Sequence, residues 1–357
     1  LKISILNLKV QTTGKNTLMQ NKRYAQPRGS IFILCMWVLL FLGIFSISVG
    51  YSVRQRIKLV ERLENRQKLR RIAESGVQKV MYLLKYDRND FDALTERWSQ
   101  NPAGFEDVKL GEGSFSIVSE TGDEIRYGIV DEESKINLNL VKSPIVFKRL
   151  FHDGLGLDEA LSSQLAEAIL DWRDEDHDAY ASGAENSFYQ GLIPPYRAKN
   201  ADFTVLEELR FVKGVTKEIY QKIQPYLSVD SLGKINLNTA STPVLRAMGF
   251  SDSLAAKIMI YRAGLDRTPG TDDDNVLSDT ETIVAAIDQF TSLTDEEKSS
   301  LQDFIGSGLF TIRSSYFRVV IRSQIPSRPM TLTTISVLER SEREVKVLSW
   351  RESYRSA

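Results

Sequence analysis

The stretch RGSIFILCMWVLLFLGIFSISVGY, residues 28–51, decides how this chain is built. From Ile31 to Gly50 it runs for 20 residues without a charge. At ~1.5 Å of rise per residue, such a helix is ~30 Å long, the thickness of a bilayer's hydrocarbon core. A secretory signal would carry an apolar region of roughly 7–15 residues and a small-residue cleavage site after it. This run is longer, and a helical pattern continues beyond it. From Val53 to Tyr86 there is no proline and one glycine, and Ile57, Val60, Leu69, Ile72, Val77, Val80, Met81 and Leu84 fall mostly at helical spacing. One helix is therefore expected from about Ile31 to Tyr86, with Tyr51 placed as an interfacial anchor. The charge-rich part from Arg54 to Glu74 reads as a solvated face.

Composition narrows the function. Residues 1–29 carry six basic residues and no acid in a chain of net charge −1, so the remainder stands at −7. An acidic body is a poor general binder of nucleic acid, because phosphate binding draws on clustered Lys and Arg. The one cysteine, Cys35, lies inside the apolar run, so no intrachain disulfide can form. Two histidines and one cysteine leave no zinc site of the usual Cys/His type.

Beyond the helix, Ser114–Glu120, Ile125–Asp131, Leu309–Gln324, Met330–Glu339 and Glu344–Trp350 have the composition and alternation of antiparallel strands. A long helical block separates the early from the late ones. The expected class is α+β: a long N-terminal helix on an antiparallel sheet, with a large all-helical domain inserted between strands. The corresponding segments are 30–86 for the membrane and stem helix, 87–140 for the first part of the sheet domain, 141–306 for the insert and 307–357 for the remaining strands. The early and late strands must pair across the insertion. An internal repeat at an offset of 99 residues sets Lys135-Ile136-Asn137-Leu138-Asn139 against Lys234-Ile235-Asn236-Leu237-Asn238. Asparagine favours turns and helix N-caps, which gives these residues a structural reading.

The acidic segment around residue 174 is the candidate binding site. Asp171, Asp174, Glu175, Asp176 and Asp178 are five acids within eight residues. Asp174, Asp176 and Asp178 alternate and can face one centre, Gly183 permits a sharp turn, and Glu185 and Asn186 add oxygens. A hard cation such as Ca²⁺ seeks six to eight oxygen ligands. Without one, close carboxylates repel at about 4 kcal/mol per pair at an effective dielectric of about 20. The spacing is not that of an EF-hand, and a solvated acidic loop explains the composition equally well. A second acidic loop contains Asp272, Asp273 and Asp274, with Asp279 and Glu281 nearby, and reads equally as the holder of another ion or as a disordered segment. His177 reads as an exposed histidine among acids. No nucleophile stands near a histidine, and the acids are expected in an open polar loop that leaves carboxylate pKa values unraised.

Several strings share one order with a known family. They are DEESKINLN (131–139), ILDWRDEDHDAYASGAENSFY (169–189), PPYRAKN (194–200), LEELRFVKGV (206–215) and INLNTASTPVL (235–245), behind Arg28-Gly29-Ser30 at the head of the apolar run. In this the chain resembles the K subunit of bacterial type II secretion, a minor pseudopilin, from residue 28 to about 260. The resemblance implies a pilin-like fold and cleavage by prepilin peptidase between Gly29 and Ser30. It implies a methylated N-terminus, one inner-membrane span and a body in the periplasm. It implies assembly with the I and J subunits in the pseudopilus, and structural Ca²⁺ in the helical domain. Carried onto this chain, the metal ligands would be drawn from Asp174, Asp176, Asp178, Glu185 and Asn186, with Asp272 and Asp274 at the second loop. Residues 1–29 then form the leader; Met19 reads as the true start, giving the leader MQNKRYAQPRG. Most pilin-like proteins have Glu at the fifth position after the cut, and here Leu34 stands there. A subunit with none above it has no use for that Glu.

The resemblance implies a structural subunit at the pseudopilus tip, initiating or capping assembly for export of folded proteins, and not an enzyme. Two rival functions remain. Residues 209–223 and 244–262 each resemble a helix-hairpin-helix, the motif of a nucleic-acid-binding membrane protein, although each hairpin lacks its second glycine. A membrane-tethered hydrolase would need a metal with an open water site.

Overall fold

The computed structural model describes residues 30–121, 124–271, 273–328 and 330–356. The expected leader, Gly29 included, and Asp272 lie outside them. Two compact units divide between Arg62 and Leu63. Helix α1 is continuous from Ser30 to Tyr86 and contributes to both. In the first unit residues 31–62 are exposed along their length. Residues 31–50 are apolar on every side, as a single membrane-spanning anchor requires.

The second unit opens with the remainder of α1, where the pattern changes. Leu69, Ile72, Ala73, Val77, Val80 and Leu84 form one buried stripe. The stripe packs on a sheet of β1 (Val108–Leu110), β2 (Gly113–Thr121), β3 (Glu124–Arg126) and β4 (Val130–Asp131). The sheet is completed by the C-terminal strands β9 (Tyr316–Gln324), β10 (Met330–Arg340) and β11 (Val345–Ser356), with four short strands, β5 to β8, lying between β4 and β9 in the chain. The order is β1-β2-β9-β10-β11, with β3 on β2 and β4 on β9. All pairs are antiparallel. Strands β2 and β9 meet across the insertion, Val118 opposite Val320. Phe317, Val319 and Ile321 alternate inward from β9 against the helix. Each such side chain contributes roughly 1.5–3 kcal/mol on full burial. Gly76 lets the helix approach closely, since a Cβ there would fall 2.9 Å from Ile321 Cδ1.

Between β4 and β9 the chain builds a second apolar cluster, from Ile136 to Ile312. After α2 (Pro102–Phe105) in the sheet region, its helices are α3 (Pro144–Arg149), α4 (Glu159–Arg173), α5 (Asn186–Gln190), α6 (Lys217–Ile223), α7 (Thr242–Ala247), α8 (Asp252–Arg262), α9 (Ile283–Thr291) and α10 (Asp295–Gly306). The insert is helical except for two small parallel ladders that the strand-length signal could not reveal. These pair β5 (Ile136–Asn137) with β6 (Leu227–Ser228), and β7 (Ile235–Asn236) with β8 (Phe310–Thr311).

Both ladders start in the repeat. In each copy the first Asn closes a turn, Asn139 N donating to Asn137 Oδ1 at 2.8 Å and Asn238 N to Asn236 Oδ1 at 2.9 Å. The second Asn clamps a distant backbone with two bonds. Asn139 holds Phe203, and Asn238 holds Leu277. The helix that follows the second copy has Ser241, not an asparagine, at its N-cap position, so these asparagines are turn and clamp residues and not N-caps.

The insert meets the sheet at a buried polar joint. Asp131 Oδ2 accepts from Thr239 Oγ1 (2.5 Å), Ser314 Oγ (2.7 Å) and Asn236 Nδ2 (3.1 Å). Asn236 Nδ2 also reaches Asp92 O at 3.1 Å, and Ser314 N donates to Asp92 Oδ2 at 2.7 Å. Arg340, at the end of β10, pairs with Asp92 and with Asp87. Glu133 lies in the same joint; burial, then the neighbouring Asp131 charge, push it up to about 9. Replacing Asn236 with Ala strips donors from several buried acceptors at once, each costing ~1–3 kcal/mol when left unpaired. Asn236→Ala is expected to destabilise the full chain in detergent by about 2–4 kcal/mol in a denaturant titration, and Asn137→Ala by less, because its partner Ser231 is partly exposed.

Candidate metal centre

Asp158 caps α4, its Oδ1 accepting from Leu161 N at 3.1 Å. The helix buries Leu165, Ala166, Ile169, Leu170 and Trp172. It ends at Arg173, whose guanidinium donates to Leu138 O and Val141 O beside the first repeat copy. The point where the acidic run leaves the helix is thereby held.

The loop that follows is organised around Asp171. This residue is fully buried and accepts from Tyr180 N (3.2 Å) and Ala184 N (2.6 Å). A Cβ on Gly183 would fall 1.9 Å from Asp171 Oδ2, so only glycine lets the chain pass there. Ser182 N donates to Glu167 Oε2 at 2.6 Å, and Lys213 Nζ donates to Gly183 O at 2.8 Å. Asn200 Nδ2 donates to Asp176 O at 2.8 Å. Trp172, Tyr189 and Tyr196 form one aromatic cluster behind the helix end, with centroids 5.1–6.2 Å apart.

This scaffold brings Asp174, Asp176 and Glu185 together, with one oxygen of each within 4.8 Å of the others. Asp174 Oδ1 and Glu185 Oε1 are buried and accept no hydrogen bond among the described residues. Glu185 is only 5% exposed, and its other oxygen caps α5 by accepting from Asn186 N at 3.2 Å. Burial, then repulsion from Asp176, Asp171 and Glu185, pushes Asp174 up to about 6, against the pull of Arg173. Burial likewise raises Glu185 and Asp171. The expectation of an open loop with unraised carboxylates therefore fails: the folded loop covers these acids, and their proximity does the rest. Two orphaned buried oxygens facing a third carboxylate fit a hard cation, whose charge would offset both burial and repulsion.

Other sequence-predicted ligands are placed differently. Asp178 is exposed and outside the group, its N donating to Asp176 Oδ1 at 2.9 Å. Asn186 Oδ1 accepts from Ala198 N at 3.0 Å, which makes it a brace of the loop. In the second acidic loop, Asp274 gathers with Asp273 and Asp266. Asp279 instead closes a local turn onto Glu281 N at 3.0 Å. Asp266 was missed by spacing because a tight turn carries it back to Asp273 Oδ2, which accepts from Leu265 N and Asp266 N at 2.7 and 3.0 Å. Hydrogen bonds hold Asp273 below the usual carboxylate range, the opposite of the first loop. The expected hairpin at 244–262 folds as α7, a turn and α8. Asp252 pairs with Arg246 at 2.8 Å there, putting an acid where a phosphate would approach.

Comparisons with known proteins follow the same lines. The family model for type II secretion system (T2SS) protein K matches residues 130–230. The type II secretion system protein K of Pseudomonas aeruginosa is 28% identical over 265 residues, covering 71% of this chain and 69% of that protein. The Aeromonas hydrophila protein of the same description is 26% identical over 275 residues, covering 74% and 78%. A chain in the crystal structure of the GspK-GspI-GspJ complex from the enterotoxigenic Escherichia coli type 2 secretion system superposes with a TM-score of 0.59 at 17% identity. That superposition covers 82% of this chain and 99% of the other, and it supports the fold. In its sequence relatives and its pilin-like architecture, the chain is similar to the type II secretion system protein K family.

Proposed function

We propose that this pseudopilin is a structural subunit at the tip of the type II secretion pseudopilus, where it initiates or caps assembly for export of folded proteins across the outer membrane. The observation that carries this reading is the insert from Ile136 to Ile312, a second hydrophobic core as large as a domain, carried on a pilin-like sheet. Such bulk suits an end of a filament better than its repeating shaft. Leu34 supports the same position, since it replaces a carboxylate that would otherwise need a partner within the membrane. In this reading prepilin peptidase cuts between Gly29 and Ser30, the new N-terminus is methylated, and residues 31–50 stay in the inner membrane. The body lies in the periplasm, and the I and J subunits are its partners, as in the solved complex. The expected result of intact-mass and N-terminal analysis of the membrane-extracted protein is a methylated chain beginning at Ser30. Co-expressed I and J subunits should co-purify with it. A chain that keeps its leader, or begins beyond Tyr51, contradicts the reading.

The acidic loop belongs to the same proposal as a structural Ca²⁺ site held by Asp174, Asp176 and Glu185. The ion would rigidify the insert and contribute no catalytic step. The pH dependence follows from sign. In the ion-free fold Asp174 is raised from 3.8 to about 6, so the neutral acid is the form that suits folding. That contribution is full below about 4 and is lost as pH rises through about 6, whereas Ca²⁺ requires the ionised form. Calorimetry on chelator-treated protein should therefore show a larger Ca²⁺-induced rise in Tm at pH 7.5 than at pH 5. At 100-fold excess over Kd the ion contributes about 2.7 kcal/mol. Gly183→Ala should abolish the effect by displacing Asp171. An equal Ca²⁺ response at both pH values, or none, contradicts the site.

A further inference from the structure

A separate carboxylate group lies where α1 ends. Asp87, Asp92 and Glu96 follow the helix within ten residues, and one oxygen of each lies within 4.8 Å of the others. Topology seats them against the joint. Asp92 N donates to Ile312 O at 2.8 Å, Asp92 O accepts from Asn236, and Asp92 Oδ2 accepts from Ser314 N and from Arg340. Asp92 is fully buried, yet its Oδ1 accepts no hydrogen bond among the described residues. That oxygen distinguishes the group from an ordinary acidic surface turn, because a buried acceptor left unpaired is costly.

The neighbours do not balance the charge. Arg340 pairs with Asp87 Oδ2 at 2.9 Å and with Asp92 Oδ2, one guanidinium against three carboxylates. Asn89 Nδ2, Ala93 N and Trp98 Nε1 serve the Glu96 oxygens at 2.7, 2.9 and 2.9 Å, and Asn89 N serves Asp87 Oδ1 at 3.2 Å. These are neutral donors, and each carboxylate oxygen keeps a second lone pair. The three acids and Arg340 thus leave the group with a net charge of −2.

We infer that Asp87, Asp92 and Glu96 form a divalent-cation site, for a hard ion of the Ca²⁺ class, at the joint between the end of α1, the sheet and the insert. A doubly charged ion neutralises the group and satisfies the orphaned oxygen in one step. Three protein carboxylates leave the remaining positions to water, so binding falls in the weak range, with Kd about 10⁻⁴–10⁻³ M. The site shares no ligand with the acidic loop, so its ion would report on the anchoring of α1 to the body.

Trp98 supplies the readout, since its indole donates to Glu96 and would sensitise a bound Tb³⁺. The experiment uses the full chain in detergent, carrying Asp174→Asn and Asp176→Asn to silence the acidic loop. Tb³⁺ titrated under tryptophan excitation should saturate a sensitised emission that Ca²⁺ displaces. Trp98→Phe should dim it without releasing the ion. Adding Asp87→Asn or Glu96→Gln should weaken binding about tenfold or more, since removing even an outer-shell partner costs at least that. Glu96 is half-buried and its hydrogen bonds come from neutral donors, so Glu96→Gln is the less disruptive arm and the test does not rest on Asp92→Asn, which must fold without a buried charge. Emission unaffected by Asp87→Asn and Glu96→Gln overturns the inference. So does a chain that binds no Tb³⁺ once the acidic loop is silenced, in which case Asp92 holds a proton.

Discussion

The buried carboxylate of Asp131 is the constraint on which the rest of this protein depends. It is buried, so its charge must be met by protein donors, and it finds them on three segments: Asn236 with Thr239, Ser314 and the backbone of Glu133. Each donor lies at an entry to or exit from the insert. A polar group that is costly to leave unmatched therefore enforces the one arrangement in which the insert docks against the sheet. Glu132 repeats the logic beside it: fully buried, it is met by Lys135 at 2.6 Å and Arg318 at 2.9 Å.

The two acidic loops divide structural work differently. In the second, Asp266, Asp273 and Asp274 are already bonded to backbone or hydroxyl donors, and Asp273 is more acidic for it. In the first, Asp171 takes the backbone donors, while Asp174 and Glu185 face a common point with oxygens left over. The scaffold spends its hydrogen bonds on holding the loop's shape. Charge compensation is left open there, and the proposed Ca²⁺ is what would supply it.

Much of the architecture was legible from residues alone. The uncharged run at Ile31–Gly50 and the stripe from Leu69 to Leu84 announce one helix with two environments. Alternation announced the C-terminal strands, although the predicted Leu309–Gln324 strand divides into β8 and β9 where Ser314 turns into the joint. The KINLN repeat was visible but its purpose was not, because Phe203 and Leu277 are chosen by the fold and not by spacing. Asp174 and Asp176 were legible as a cluster. Glu185 was legible as a further candidate, and the path set by Asp171 and Gly183 brings it to Asp174 and Asp176 and leaves Asp178 outside. Asp87, Asp92 and Glu96 gave no signal, being ordinary charges near a helix end until Arg340 arrives from the last hairpin.

Native-state hydrogen exchange on the full chain, read by mass spectrometry, tests most directly whether the joint makes sheet and insert one cooperative body. The account predicts that the most protected amides of β9, such as those of Val319 and Ile321, and of α4, such as those of Leu165 and Ile169, exchange through a single opening of equal free energy. Protection lost in α4 through a much cheaper opening, with β9 still closed, would show that the insert is a loosely tethered appendage and that the buried network around Asp131 does not hold the molecule together.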